Sequence, residues 1–283
     1  MLRSEVQNRT GITRKAIEYY EEKGLINPKR LENGYRDYSD QDIEILKEIS
    51  LFSKVGLSVA EIKEILHSQD SSLPTILRNK EYELDIEKRK KDVLKLIING
   101  EEQYTISKEL DLLEANKTIY ERLIDKFPGY FGQLLFSAYK IFLNEYLEED
   151  GKEAFEKYIN YLDNLPEFQL SNEENRYIES LTKSFSMADL EKINESKIEA
   201  VNNTKEWFKD NKKFISYYEK YKKSDEYLNS EAKKIKDRLQ KYMIDNRYYE
   251  IAIPLIRKFS KSYDEYYKKL FKANENYLEM LNK

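Results

Sequence analysis

Residues 10–66 read TGITRKAIEYYEEKGLINPKRLENGYRDYSDQDIEILKEISLFSKVGLSVAEIKEIL. Thr10-Gly11-Ile12 reads as a tight turn, and Thr13 as the cap of a helix running to about Lys23. Upstream, Ser4-x-x-Gln7 predicts a short helix over 4–9, because a hydroxyl can accept from the first-turn amides while the residue three on reaches back. Two short helices joined by a glycine-containing turn are the sequence form of a helix-turn-helix. Ser39-x-x-Asp42 and Ser58-x-x-Glu61 repeat the cap signal and predict helices over 40–54 and 59–66.

Pro28 stops the second helix, since proline disfavours helical geometry in the residue before it. Asn33-Gly34 then marks a two-stranded hairpin. Basic Lys29 and Arg30 precede that turn and Arg36 follows it. Such a hairpin beside a helix-turn-helix is a wing, able to lay its arms on phosphates while the second helix enters a major groove.

Three features fall in one order and spacing: the Tyr19-Tyr20 pair before Glu21-x-x-Gly24-Leu25, the Asn33-Gly34-Tyr35-Arg36-x-Tyr38 wing, and Gly56-Leu57-Ser58-x-x-Glu61-Ile62. With them, residues 10–66 resemble the DNA-binding domain of the MerR family nearly end to end. The resemblance implies that Arg14, Lys15 and Tyr19 face DNA from the recognition helix, and that Arg36 and Tyr38 hold the backbone from the wing. Tyr20 is expected in the core. One position departs from the family: where arginine often precedes the tyrosine pair, this chain has Glu18. A carboxylate is repelled by phosphate, so Glu18 is expected to meet a cytosine amino group or to turn inward.

The composition agrees with a helical fold. Of 283 residues, 36% are charged and 40% hydrophobic, with only 8 Gly and 5 Pro to interrupt long helices. The absence of cysteine excludes disulfides and thiolate metal sites, and the single His67 leaves no histidine cluster, so neither metal nor cofactor is expected. No nucleophile–base pairing, phosphate loop or HExxH motif is present, so the chain does not read as an enzyme. Its start does not resemble a signal peptide and no apolar run is long enough for a bilayer, which predicts a soluble cytoplasmic protein without a membrane partner. Charge is unevenly spread: Met1–Arg36 carries eight Lys/Arg against five Asp/Glu, whereas the remainder carries 41 against 48. A DNA-facing part and a part that does not face DNA fit that split.

Residues 74–113 are strongly charged, and Ile86, Val93, Ile97 and Tyr104 recur at spacings of seven, four and seven, a coiled-coil seam. Pro74 suits the first turn of that helix, and Asn99-Gly100 either kinks or ends it. The resemblance implies an antiparallel coiled-coil homodimer here. The expected organisation is a winged helix-turn-helix over 1–72, a long dimerisation helix over 73–115 and an all-helical effector or partner-binding bundle over 116–283, all-α apart from the small β wing.

Helices are predicted over 130–147, 152–163, 172–184, 187–221, 225–244 and 248–281, with a kink at Pro254 in the last. Phe127-Pro128-Gly129 reads as a hinge, a pocket lip or an ordinary turn. Most of the 24 Tyr and 12 Phe lie in this half. Phe214, Tyr217, Tyr218 and Tyr221 form one helical stripe, with Trp207 before it; Tyr263, Tyr266, Tyr267 and Phe271 form another. Two readings stand: bundle core, or facing walls of a pocket for a small hydrophobic, aromatic or cationic effector. For function, the resemblance implies a dimer on double-stranded promoter DNA that distorts the duplex so that RNA polymerase can engage. Alternatives are a drug-sequestering protein with autoregulatory DNA binding, and a constitutive regulator with a protein-partner module.

Overall fold

Gly11 takes the left-handed conformation (φ 69°) and donates its N–H to the Gln7 carbonyl at 2.8 Å, which ends α1 (Arg3–Thr10). The computed structural model describes residues 1–68 and 72–281. The chain divides into two compact units, Met1–Ile76 and Leu77–Lys283. In the first, α1 is capped earlier than expected: Glu5, not the Ser4/Gln7 pair, folds back to accept from the Leu2 N–H at 2.8 Å. A carboxylate makes the stronger, charge-assisted bond.

Thr13 accepts from the Ala16 N–H at 3.3 Å and starts α2 (Arg14–Glu22). Strands β1 (Lys29–Arg30) and β2 (Arg36–Asp37) pair antiparallel, with Lys29 opposite Asp37 and Arg30 opposite Arg36. Between them Asn33 Oδ1 accepts from the Tyr35 N–H and Gly34 holds a φ of 81°. The helices α3 (Asp40–Lys54) and α4 (Val59–Ser68) open on the expected reciprocal caps, Ser39 with Asp42 and Ser58 with Glu61. Val6, Ile17, Ile26, Tyr38, Leu46 and Ile62 build one small core.

Most of α5 (Leu73–Ile98) belongs to the second unit; the helix carries Pro74 in its first turn and ends at Gly100 (φ 74°), where Glu101 and Gly100 donate back to Leu96 and Ile97. The helix α6 (Gln103–Lys126) returns along it: Tyr120 donates to Asn79 near the start of α5, and Leu112 and Leu113 line a groove with Val93 and Leu96 near its end. Residues 73–115 are therefore not one strut but a helical hairpin, turned at the glycine. The chain continues through α7 (Tyr130–Lys140), α8 (Glu149–Asp163), α9 (Asn172–Thr182), α10 (Met187–Asn202), α11 (Thr204–Asp210) and α12 (Lys212–Tyr221). It closes with α13 (Asp225–Leu228), α14 (Glu231–Asp245), α15 (Tyr248–Phe259) and α16 (Lys261–Leu281).

Several predicted helices are divided at polar residues, a type whose side chain can compete for the backbone. The stretch 187–221 breaks at Asn203 (ψ 44°) and at Asn211, whose side chain donates to the Trp207 carbonyl at 2.9 Å. Ser230 divides 225–244 by capping α14. The last helix does not kink at Pro254, which stays inside α15 on its exposed side. It breaks at buried Ser260, whose Oγ donates to the Phe142 carbonyl at 2.7 Å and accepts from the Tyr263 N–H at 3.2 Å. Phe142 and Leu143 turn inward after α7, which stops at Lys140 rather than 147, and Asn116 donates to the Leu143 carbonyl at 2.9 Å.

The core of this unit is aromatic and selectively polar. Tyr139 and Tyr248 share a 2.9 Å hydroxyl contact, and burial raises both phenols well above their ordinary range, so both stay protonated. Arg78 is fully buried: it donates to Gln133, to the Thr182 and Phe185 carbonyls at 3.2 and 3.3 Å, and to Glu179 at 3.4 Å. These contacts tie α5 to α7 and to the end of α9. The Phe127-Pro128-Gly129 segment is the turn from α6 into α7. Just after it, a Cβ on Gly132 would stand 2.5 Å from the Phe127 carbonyl oxygen and 2.7 Å from that of Leu123. Backbone atoms cannot step aside as a flexible side chain does. Gly132→Ala should lower stability by roughly 1–3 kcal/mol, read as an earlier urea midpoint for loss of helical circular dichroism; an unchanged midpoint would show that α6 and α7 can separate freely.

Candidate nucleic-acid interface

The expected recognition helix is α2, and its charge is arranged by one buried residue. Ile17 is its one buried side chain, which leaves Arg14, Lys15 and Tyr19 exposed. Lys29 and Arg30 of β1 are exposed as well, so helix and hairpin both present cations to solvent. Lys23 places its ammonium 5.5 Å from the Tyr19 ring, a contact that holds the ring on the surface.

Carboxylates from α2 hold two of the expected DNA-binding arginines. Glu18 neither turns into the core nor stands alone: it accepts from Arg3 at 2.6 Å and from Arg14 at 3.0 Å. The Arg14 hydrogen bond, reinforced by the charges of Arg14, Arg3 and Arg36, holds the Glu18 carboxyl below its ordinary range. Glu21 takes Arg36 at 2.9 Å and raises the guanidinium's affinity for its proton. Arg36 is accordingly half-buried against α2 rather than extended from the wing.

Tyr38 requires a correction. Expected on the phosphates, it is 1% exposed and belongs to the small core, with its hydroxyl accepting from Arg3 at 3.4 Å. The Tyr38 N–H also donates to the Met1 carbonyl at 2.9 Å, while the Met1 ammonium reaches Asp37 at 2.6 Å. An aromatic ring at a strand end gains more by burial than by a rim contact. Tyr38 therefore positions the wing and Arg3. Sequence reasoning missed Arg3 and Glu21. The i, i+4 spacing of Arg14 and Glu18 was a readable signal, whereas the Arg3–Glu18 and Arg36–Glu21 pairs exist only once the chain folds.

The residues assigned to the coiled-coil seam separate into two groups. Ile86 and Val93 are buried within the second unit, while Ile97 and Tyr104 are exposed by 52% and 66%. The two aromatic stripes do not face each other either. Phe214, Tyr217 and Tyr218 point to solvent, and Trp207 and Tyr221 are half-buried. Tyr263 is core, 5.5 Å from Tyr139 and 5.4 Å from Phe142, with Tyr266 and Tyr267 half-buried beside it. The α11–α12 segment meets α16 at Tyr277, through Phe208 and Glu219. That point lies about 21 Å further along α16 than Tyr263, at 1.5 Å per residue. The expected pocket between the stripes is replaced by packing at opposite ends of one helix. A separate open groove of about 680 Å³ runs between α8 and α15, floored by Leu165, Ile251 and Pro254 and edged by Asn160, Tyr161 and Glu250. Among the described residues no helix is long and apolar enough to cross a membrane, and no group of three or more His, Asp or Glu could hold a metal ion.

Comparison with known proteins places the first unit. A family model described as MerR HTH family regulatory protein matches residues 1–69. The HTH-type transcriptional regulator YfmP of Bacillus subtilis is 33% identical over 132 residues, covering 46% of this chain and 89% of YfmP. The HTH-type transcriptional regulator CueR of Yersinia pestis is 36% identical over 108 residues, 35% of this chain and 78% of that protein. Heavy metal-dependent transcription regulator 2 of Rhizobium meliloti is 41% identical over 63 residues, 22% of this chain and 43% of that protein. No solved structure matches the chain. Each of these alignments leaves more than half of the chain uncovered.

Glu18 lies among the cations of this face, where a carboxylate would oppose a phosphate. In Glu18→Gln, Arg14 and Arg3 lose their shared anion, so duplex binding should tighten at low salt and its dependence on log salt should steepen by about one contact, a slope change near 0.9. Fluorescence anisotropy across a salt series reads this directly, and an unchanged slope would place Glu18 outside the DNA contact.

Proposed function

The chain belongs to the MerR family of helix-turn-helix regulatory proteins, a family of transcriptional regulators, and we propose that it acts as a cytoplasmic homodimer on double-stranded promoter DNA. In this reading α2 enters the major groove with Arg14, Lys15 and Tyr19, and Lys29 and Arg30 of the hairpin lie on phosphate, with Arg36 joining them as Glu21 yields. The observation that supports it is the one-sided surface of α2: Ile17 buried, and Arg14, Lys15 and Tyr19 exposed beside a basic two-stranded hairpin.

Two copies pair through the outward row of α5. Leu77, Leu84, Leu94 and Ile98 are each more than half exposed and recur near the heptad spacing. Charged Lys80, Glu87 and Lys91 interleave with them and favour one register over others. This row replaces Ile86 and Val93, which serve the protein's own interior. The paired heads read two half-sites and bend the duplex, a deformation of about 1–6 kcal/mol, so that RNA polymerase engages the promoter. The helical unit sets the balance by holding a small apolar or aromatic molecule more tightly in one conformer than in the other. The groove between α8 and α15 has the size of a small-molecule site and an apolar floor with a polar edge, which supports that assignment.

Light scattering of the full chain should give twice its 34.0 kDa mass, and Leu84→Glu with Leu94→Glu should give the single mass with cooperative operator binding lost. Arg14→Ala with Lys15→Ala should keep the dimer and weaken promoter occupancy by tenfold or more. A monomeric wild-type protein, or occupancy indifferent to α2, overturns the reading.

A further inference from the structure

Residues 205–223 carry seven lysines against three carboxylates, within a chain whose net charge is −4. This segment spans α11 and α12, and α12 buries only Ile215. Three rings on its open side remain outside the core, with Phe214 60%, Tyr217 69% and Tyr218 41% exposed. Phe214 and Tyr218 stack nearly parallel, their planes 7° apart and their centroids at 6.1 Å. Lys222 sits 5.0 Å over the Tyr218 ring, and exposed Lys213 and Lys220 flank Tyr217. Tyr218 is engaged by Phe214 and Lys222, while Phe214 and Tyr217, the most exposed of the three, present open ring surface beside these cations.

We propose that the α12 face is a second nucleic-acid surface, specific for single strands and separate from the helix-turn-helix. The geometry combines the two requirements of such binding: a positive edge that follows phosphates, and open aromatic faces on which unpaired bases stack. A duplex offers no free base face, so the rings discriminate in favour of unpaired DNA or RNA. An anionic bilayer would satisfy the lysines, but the rings share their surface with charge instead of forming a separate apolar side for insertion. The proposal does not rest on how the first unit meets promoter DNA.

The test uses the full-length protein and a fluorescent oligothymidylate of roughly twenty nucleotides, with operator-length duplex and phosphatidylglycerol vesicles as parallel probes. Wild type should bind the oligothymidylate with an affinity that falls as salt rises. Phe214→Ala with Tyr217→Ala should weaken that binding at least tenfold, and Lys213→Gln with Lys220→Gln should weaken it and flatten the salt slope by about one to two contacts. Duplex binding should stay within twofold in both variants. Arg14→Ala with Lys15→Ala should do the reverse, losing duplex and keeping the single strand. The lysine variant alone carries the test if the ring variant melts early by circular dichroism. The proposal is overturned by no binding of the oligothymidylate, by binding that both α12 variants leave unchanged, by binding lost only with the α2 variant, or by variants that affect vesicle capture alone.

Discussion

The rotation of the recognition helix depends on burying Ile17. It is fully buried in the core that also holds Val6, Leu25, Ile43 and Leu46, and no other residue of α2 is buried. At 100° per residue, Lys15 and Tyr19 each fall about 160° from it, on the opposite side of the helix. Arg14 is brought beside Glu18 one turn on, and Glu21 is turned toward the hairpin, where it meets Arg36. Full burial of an isoleucine stabilises by roughly 1.5–3 kcal/mol. Exposed ion pairs such as Arg14–Glu18 contribute little to folding, because water competes for both ends. Packing therefore sets the helix, and the ion pairs select rotamers on a surface already placed.

How legible each feature was depended on how far apart in the chain its partners lie. The caps at Ser39 and Ser58, the glycine end of α1 and the Asn33-Gly34 turn were readable because every participant sits within a few residues. The exposed lysines and arginines of α2 and β1 were readable for the same reason. Tyr38 was not, since its burial depends on α1 and α3 closing over it. Nor was the division of α5, where outward Leu84 and inward Ile86 are distinguished only by α6 folding back. The breaks at Asn203, Asn211 and Ser260 show a subtler limit. Apolar periodicity continues through all three, and at Asn211 and Ser260 the side chain makes a backbone bond that periodicity does not encode. Proline, the conventional breaker, is tolerated at Pro254 because that side of α15 faces solvent, which can serve the Glu250 carbonyl left without an amide.

Arg78 shows what composition concealed. A chain with so many surface lysines gives no hint that one cation is fully buried, joined to partners 55 to 107 residues away in sequence. Such a group is expensive to bury and replaceable by apolar packing in principle. Its geometric effect is specific: guanidinium donors must meet the Thr182 and Phe185 carbonyls and Glu179 together, which fixes α5 against the α9–α10 corner. Glu81, one turn on along α5, accepts from the Met187 N–H at 2.7 Å and fixes the same corner again. Apolar contacts alone would allow α5 to slide there; directed hydrogen bonds do not.

The cations of this protein are also held in different ways, and the difference bears on how it uses them. On the helix-turn-helix, Arg14 and Arg36 are paired with Glu18 and Glu21, so in the proposed complex DNA would have to displace a carboxylate from each before a phosphate takes its place. Lys15, Lys29 and Arg30 are exposed and in that complex would meet phosphate first. Encounter is then steered by the exposed charges, while the paired arginines add their contacts only in a closely fitted complex. Because the displaced carboxylates remain nearby and oppose the phosphates, a loosely docked duplex is repelled at the positions where a well-docked one is held. A net charge of −4 on the whole chain acts in the same direction, disfavouring indiscriminate coating of DNA and leaving binding to geometry.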